Sequence, residues 1–214
     1  IQKKYKTKHQ IIENRLQTNA TLINQKWVDF FKEFNFKVGI SIDGPEWLND
    51  QHRLLKTGHG SYSRIIKGIN LLRKNEITFS VLVTVTRKSG KYPQQIYDFI
   101  TREKFMTVKF NPCFGNNKLN VDFIEYAHFM NKIFDLWIRE DREELSLGPT
   151  EDIIEGLLGG NPNVCHMRNT CYRHVKVDYN GDVIPCDNFL GKDFKFGNIV
   201  NQEINEIIKL PYEI

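Results

Sequence analysis

From Glu13 to Leu158 the chain alternates between strand and helix patterns, and the connections are too long for hairpins. Strand patterns occupy residues 15–19, 37–43, 77–86 and 106–111. Asn24 can cap a helix carrying Trp27, Phe30, Phe31 and Phe34 at i, i+3, i+4 and i+7. Ser61 opens a second helix with Ile65, Ile66, Ile69 and Leu72 on one face. Residues 93–103 predict a third, and residues 120–140 a long fourth with Phe123, Ala127, Met130, Phe134 and Trp137 along a stripe. Trp27 and Trp137 read as core residues on these stripes. A short helix is expected over residues 151–158, followed by the breaker Gly159-Gly160-Asn161-Pro162. Such alternation means parallel βα units. No glycine-rich phosphate loop is present, which weakens a dinucleotide-binding or P-loop reading.

Each strand has one apolar and one mostly polar face. Val38, Ile40 and Ile42 oppose Gly39, Ser41 and Asp43. Phe79, Val81, Val83 and Val85 oppose Ser80, Leu82, Thr84 and Thr86. Val108 and Phe110 oppose Lys109 and Asn111, and Leu16 and Thr18 oppose Gln17 and Asn19. A closed eightfold barrel would fill its inner face with Val, Ile and Leu. A polar inner face points instead to an open or partial barrel with a wet lumen. The alternative is an ordinary sheet with one solvated face, although parallel sheets rarely leave a face in water.

Residues 164–191 hold three of the four cysteines, Cys165, Cys171 and Cys186. Between the second and third, Val175, Val177 and Tyr179 alternate with His174, Lys176 and Asp178. Asn180-Gly181 then predicts a two-residue type I′ turn, and Val183-Ile184-Pro185 returns towards Cys186. The hairpin brings the three thiols into one neighbourhood. A disulfide would strand one of them. Zinc wants four ligands, usually in close CxxC pairs, and none is present. Iron–sulfur clusters accept wider spacings from several loops. Cluster, zinc and purely structural cysteines all remain open on spacing alone. Cys113, or a group beyond the chain, would have to supply a fourth ligand. Asp187 directly follows the third cysteine.

Composition excludes several classes. The chain has 214 residues, 40% hydrophobic and 26% charged, with a net charge of +4, which is ordinary for a globular protein. The basic run KKYKTKH near the amino end reads as a solvated face or tail, so no nucleic-acid partner is expected. No apolar run reaches the length of a membrane span, and no signal peptide is evident, so a cytoplasmic protein is expected. Four cysteines do not make a secreted disulfide scaffold. Ile1 is not a start residue, and the chain is treated as a possible fragment.

QTNATL at residues 17–22, VGISIDGP at 38–45, the R…G…S loop from Arg53 to Ser61, and CDNF at 186–189 together resemble the radical S-adenosylmethionine (SAM) enzymes with a SPASM-type carboxyl-terminal extension. Within them the sequence is most similar to the anaerobic sulfatase-maturating enzymes, in motif order from about Glu13 to Pro211. The resemblance implies an α/β fold: the third to sixth units of a partial (β/α)6 barrel over residues 1–148, then the start of an auxiliary-cluster domain with its β-hairpin over residues 149–214. It implies that Cys165, Cys171 and Cys186 ligate an auxiliary [4Fe–4S] cluster whose fourth ligand lies further on. It also places Ser41, Arg53 and Phe114 at SAM-contacting positions and Asp187 at the position of a proton-accepting base.

The family's CxxxCxxC motif, its glycine-rich segment and the later auxiliary-cluster cysteines do not occur here, and Ala20 stands where a glycine is usual. The resemblance therefore implies part of an enzyme that oxidises a Cys or Ser of a sulfatase to formylglycine, the 214 residues alone being inactive. Its cofactors would be [4Fe–4S] clusters and SAM, and its partners a peptide substrate and an electron donor such as flavodoxin or ferredoxin. Two alternatives stand beside it: a SPASM maturase of another ribosomal peptide, and a non-catalytic remnant binding peptide or zinc.

Overall fold

The structure, a computed structural model, describes residues 7–115, 118–168, 174–186 and 195–208. The chain divides into two compact units, residues 1–151 and 152–214.

The first unit is a five-stranded parallel sheet in the order β1-β2-β3-β4-β5. Its strands are β1 (Asn14–Thr18), β2 (Phe36–Ser41), β3 (Phe79–Val85), β4 (Thr107–Pro112) and β5 (Ser146–Gly148). Its helices α1 (Gln25–Glu33), α2 (Glu46–Asn49), α3 (Tyr62–Lys74), α4 (Pro93–Arg102) and α5 (Phe123–Glu140) follow in chain order, and α6 (Thr150–Leu157) starts at the end of this unit and lies mostly in the second. Neighbouring strands in the sheet are neighbours in sequence, and every connection is a βα crossover, as in a partial barrel. The first four strands lie where the alternation predicts them. Ser146–Gly148 carries too little pattern to read as a strand, yet it pairs with β4 through Val108 opposite Leu147.

The apolar strand faces form the core. Val38, Ile40, Val81, Val83, Val85, Val108, Phe110 and Leu147 are buried against Ile65, Ile69 and Leu72 of α3, Ile96 and Ile100 of α4, and Ile133 and Leu136 of α5. Asn24 does cap α1, its Oδ1 accepting the Trp27 N–H at 3.2 Å. Two helix faces differ from expectation. On α1 the buried residues are Val28 and Phe31, while Trp27 is 45% exposed and Phe30 and Phe34 are also on the open side. Trp27 is therefore not a core residue; its ring lies among Phe30 and Phe31 along the helix surface. On α5 the buried set is Phe129, Met130, Ile133 and Leu136, with Tyr126 and Trp137 packed beside it. Phe123 and Ala127 face outward. The helix is rotated from the expected stripe because two apolar stripes compete on it, and the sheet takes the one holding β-branched Ile133 and the bulky Phe129.

The second unit holds a three-stranded antiparallel sheet: β6 (Lys176–Val177), β7 (Asp182–Ile184) and β8 (Gly197–Asn198), followed by α7 (Ile204–Ile207). The hairpin exists, but its turn is longer than predicted. Asp178 N–H donates to Asp182 O at 2.8 Å, and Gly181 N–H to Asp178 O at 2.9 Å. Gly181 has a positive φ of 86°, and Asn180 is not among the positive-φ residues. This is a three-residue loop ending in a left-handed glycine, in place of the two-residue type I′ turn. Asn180 Oδ1 instead accepts the Asp182 N–H at 3.0 Å, which favours the longer loop.

Candidate active site at the carboxyl edge of the sheet

Parallel sheets place their working residues at the carboxyl ends of the strands. Here that edge carries a buried carboxylate, Asp43, 8% exposed, just after β2. Its two oxygens accept Arg53 Nε at 2.7 Å and Arg53 Nη2 at 2.8 Å. Asp43 Oδ1 also accepts the Thr84 N–H of β3 at 2.9 Å, and Arg53 Nη2 reaches Thr84 Oγ1 at 3.4 Å. The Asp43 N–H donates to Asn49 Oδ1 at 3.2 Å, and Asn49 Nδ2 donates to Asp50 Oδ1 at 2.9 Å. The same Asp50 oxygen accepts the first N–H of α3, from Tyr62, at 2.9 Å. A fork-to-fork pair fixes the plane of the guanidinium as well as its position. The sequence pattern reads Asp43-Gly44-Pro45 as a turn and Arg53 as a solvated loop residue by default. The structure instead pairs them across a ten-residue separation.

The loop between them explains its own motif. Ser61 lies at the start of α3, but its Oγ donates to Arg53 O at 2.7 Å and leaves the helix cap to Asp50. The Ser61 N–H bonds the same carbonyl at 3.0 Å, and Leu54 and Gly60 form an antiparallel bridge. A Cβ on Gly60 would collide with the Asp50 carboxylate. Arg53, Gly60 and Ser61 thus each have a geometric reason for their identity: ion pair, clearance and loop closure.

Ser41 lies on the polar face at the end of β2, where Gln17 Nε2 donates to its Oγ at 3.0 Å. In register, Ser41 stands opposite Leu82, and Leu82 opposite Lys109. Below them the polar face forms a hollow of about 380 Å³ lined by Arg15, Gln17, Lys37, Ser80 and Lys109. Glu13 joins Lys37 at 2.5 Å and Arg15 at 2.6 Å. The hydrogen bond from Lys37, then that from Arg15, holds its carboxyl down at about 2. Phe114 follows β4 and is 70% exposed. Cys113, half-buried beside it, donates its N–H to Val85 O at 2.8 Å and accepts from the Val121 N–H at 3.2 Å. Ser41, Asp43 and Arg53 therefore belong to one edge of one sheet, and Phe114 follows the strand two places along.

In the second unit Cys165 begins a one-turn 3₁₀ helix, Cys165–Met167, and Cys186 follows β7; both are half-buried. Cys171 and Asp187 lie outside the described residues. Thiolates are the donors that iron–sulfur clusters take, so the donor type present suits such a cluster. Among the described residues no helix is long and apolar enough to cross a membrane.

Residues 1–100 match the model of the radical SAM superfamily, and residues 165–212 match SPASM, described as an iron-sulfur cluster-binding domain. Over its first 100 residues the chain is thus similar to the radical SAM superfamily. The cysteine-type anaerobic sulfatase-maturating enzyme of Clostridium novyi is 32% identical over 96% of this chain and 57% of its own length. The serine-type enzyme of Bacteroides thetaiotaomicron is 31% identical over 97% of this chain and 55% of its own. Among solved structures, native anSMEcpe with bound AdoMet superposes with a TM-score of 0.88 at 27% identity, covering 97% of this chain and 59% of that one. The chain thus spans somewhat more than half the length of the relatives that it matches. The α/β architecture, a partial barrel of parallel strands, is that of this radical SAM structure.

Neither Asp43 nor Gln17 stands out from the sequence as a site, and Ser41 does so only through the resemblance. The signal for Asp43 is its place on the polar face, one turn of alternation beyond Ser41, where an unpaired carboxylate would be costly.

Proposed function

We propose that this chain is part of a radical SAM peptide-modifying enzyme that oxidises a Cys or Ser side chain of a sulfatase to formylglycine. The likeness to sulfatase-maturating enzymes of both types, over nearly the whole chain, supports this reading most strongly. A related solved structure, described as carrying AdoMet and the Cp18Cys peptide, supports a peptide as substrate.

When bound, SAM and a reduced [4Fe–4S] cluster would supply the hydrogen-abstracting 5′-deoxyadenosyl radical. This chain's share is binding and proton handling. Arg53, held by Asp43, offers its remaining N–H donors to a carboxylate such as that of SAM. The Ser41 hydroxyl, fixed by Gln17, offers a second polar contact, and Phe114 an apolar surface at the mouth. Cys165, Cys171 and Cys186 would hold an auxiliary cluster. Asp187, the residue after Cys186 in sequence, would take the proton from the substrate thiol or hydroxyl. Residues 1–148 would form the barrel portion and residues 149–214 the start of the auxiliary-cluster domain. A cytoplasmic setting and a flavodoxin- or ferredoxin-type electron donor complete the proposal.

The test uses the longest natural form of the chain, loaded anaerobically and supplied with SAM, reductant and a sulfatase-derived peptide. Formylglycine with matching 5′-deoxyadenosine is expected. Asp187→Asn is expected to keep SAM cleavage and lose formylglycine. SAM cleavage with no modification of either a Cys or a Ser peptide would favour a maturase of another ribosomal peptide. No SAM cleavage at all would overturn the reading.

A further inference from the structure

Asn49 ends α2 with 0% of its surface exposed, and the proposed chemistry gives it no part. A buried amide is stable when both of its ends are bonded. Its Oδ1 accepts the Asp43 N–H at 3.2 Å, and its Nδ2 donates to Asp50 Oδ1 at 2.9 Å. Its backbone carbonyl accepts the Arg53 N–H at 3.0 Å. One residue therefore holds the backbone of both members of the Asp43–Arg53 pair, which stand ten residues apart in sequence.

The orientation of this amide is determined by its partners. The Asp43 N–H can only donate and the Asp50 carboxylate can only accept, so oxygen must face the first and nitrogen the second. Asp50 is itself anchored, because the same Oδ1 accepts the Tyr62 N–H at the start of α3 at 2.9 Å. From the other side, Ser61 closes on the Arg53 carbonyl through its Oγ at 2.7 Å and its N–H at 3.0 Å. The backbone of Arg53 is thus bonded at both its N–H and its carbonyl. Its side chain is bonded at Nε and Nη2 by Asp43 and again at Nη2 by Thr84. That leaves Nη1 as the donor pair available to a ligand, on a side chain 24% exposed. Asp43 sets where this group points, and Asn49 sets where Asp43 stands.

We infer that Asn49 is a positioning residue for SAM: through Asp43 and Arg53 it aims the guanidinium at the carboxylate of that ligand. The inference rests on the reading of Arg53 as a SAM contact. An asparagine that serves only its own helix or turn bonds the backbone within a few residues of itself. Asn49 instead reaches back to the segment after β2 and across to the carboxylate that caps α3, while its own carbonyl takes the arginine. Leucine would fill a similar volume but leave the buried Asp43 N–H without an acceptor. Aspartate would keep that acceptor and set a second carboxylate against Asp50. Asparagine alone among these meets both neighbours. A donor displaced by a fraction of an ångström loses much of its grip on an oriented ligand, so this placement bears directly on binding.

The test is equilibrium binding of SAM and of decarboxylated SAM, which lacks the carboxylate, to the longest natural form of the chain, loaded anaerobically and kept without reductant. Asn49→Ala is expected to weaken SAM binding about fivefold and leave decarboxylated SAM unchanged, as a coupling through Arg53 requires. In SAM cleavage with reductant the same variant is expected to raise KM and keep kcat. Adding Asn49→Ala to Arg53→Ala is expected to cost nothing further, because the guanidinium that it aims is gone. Asp50→Ala, at a half-buried place, removes the acceptor of Asn49 Nδ2 and is expected to show the same selective loss. It carries the test if Asn49→Ala does not fold. Equal weakening of both ligands would mean that Asn49 only maintains the fold, and would overturn the inference. So would unaltered SAM binding in the two variants. SAM cleavage by the unaltered protein reports on the radical SAM reading alone, so the two can fail separately.

Discussion

Asp43 sits where a carboxylate is stable only if its charge is met. Two bonds from Arg53 and one from the Thr84 N–H meet it, and the Asp43 N–H is itself satisfied by Asn49. Removing the charge from such a pair leaves a partly buried cation without its partner. Asp43→Asn is therefore expected to lower stability by about 2 kcal/mol in urea unfolding, and a variant as stable as the parent would contradict the pairing. Glu13 makes a different case because it is exposed. Its carboxyl ionises near 2 in place of the ordinary 4.5, since Lys37 and then Arg15 favour the charged form. A folded value below the unfolded one adds stability above the unfolded value, which is lost as pH falls through the folded one. The unfolding midpoint is expected to fall between pH 4.5 and 2, and Glu13→Gln to flatten part of that fall. An unaltered pH profile in the variant would show that the two cations do not hold Glu13.

The elements show what a sequence can and cannot convey. The four main strands were legible because each has alternating faces, and Val38, Ile40 and Val83 could face only a core. The face of α5 was only partly so, because Phe123, Ala127, Met130, Phe134 and Trp137 make as good a stripe on paper as Phe129, Met130, Ile133 and Leu136, and of the first set Met130 and Trp137 reach the core. Only the sheet decides between them. β5 is not legible because three residues, Ser146 to Gly148, carry no period. The hairpin turn differs from the two-residue expectation because Asn-Gly serves two turn lengths, and the Asp182 N–H bond to Asn180 Oδ1 selects the longer. At the site, the R…G…S spacing was legible, but its cause, the Asp43 and Asp50 carboxylates, needed three dimensions. Helix α3 approaches the Gln17–Leu22 turn so closely that a Cβ on Gly68 would collide with the Ala20 carbonyl. Gly68→Ala is expected to cost about 2 kcal/mol through overpacking, although alanine is the better helix former. A stabilised variant would mean that this contact is loose. Tyr126 at the inner face of α5 donates to Phe110 O at 2.9 Å, and burial pushes its hydroxyl up to about 12. Tyr126→Phe should cost about 1 kcal/mol, and an absorbance titration should lose a tyrosine ionising near 12.

For the molecule as a whole, two units carry two kinds of chemistry. The first offers polar, charge-fixed groups along the carboxyl edge of a parallel sheet, suited to binding a cofactor and a peptide. The second carries cysteines within a region that matches an iron-sulfur cluster-binding domain. The chain covers 57% of the Clostridium novyi relative, so neither unit need act alone. The account joins them through one claim, that Cys165, Cys171 and Cys186 hold a cluster in an enzyme whose barrel binds SAM. Iron and acid-labile sulfide per chain test it most directly, measured anaerobically on the longest natural form and on its Cys165→Ala/Cys186→Ala variant. The account predicts that the variant holds about four fewer irons and as many fewer sulfides, as loss of one [4Fe–4S] cluster requires. Equal iron in the two proteins, or stoichiometric zinc in the parent, would contradict it.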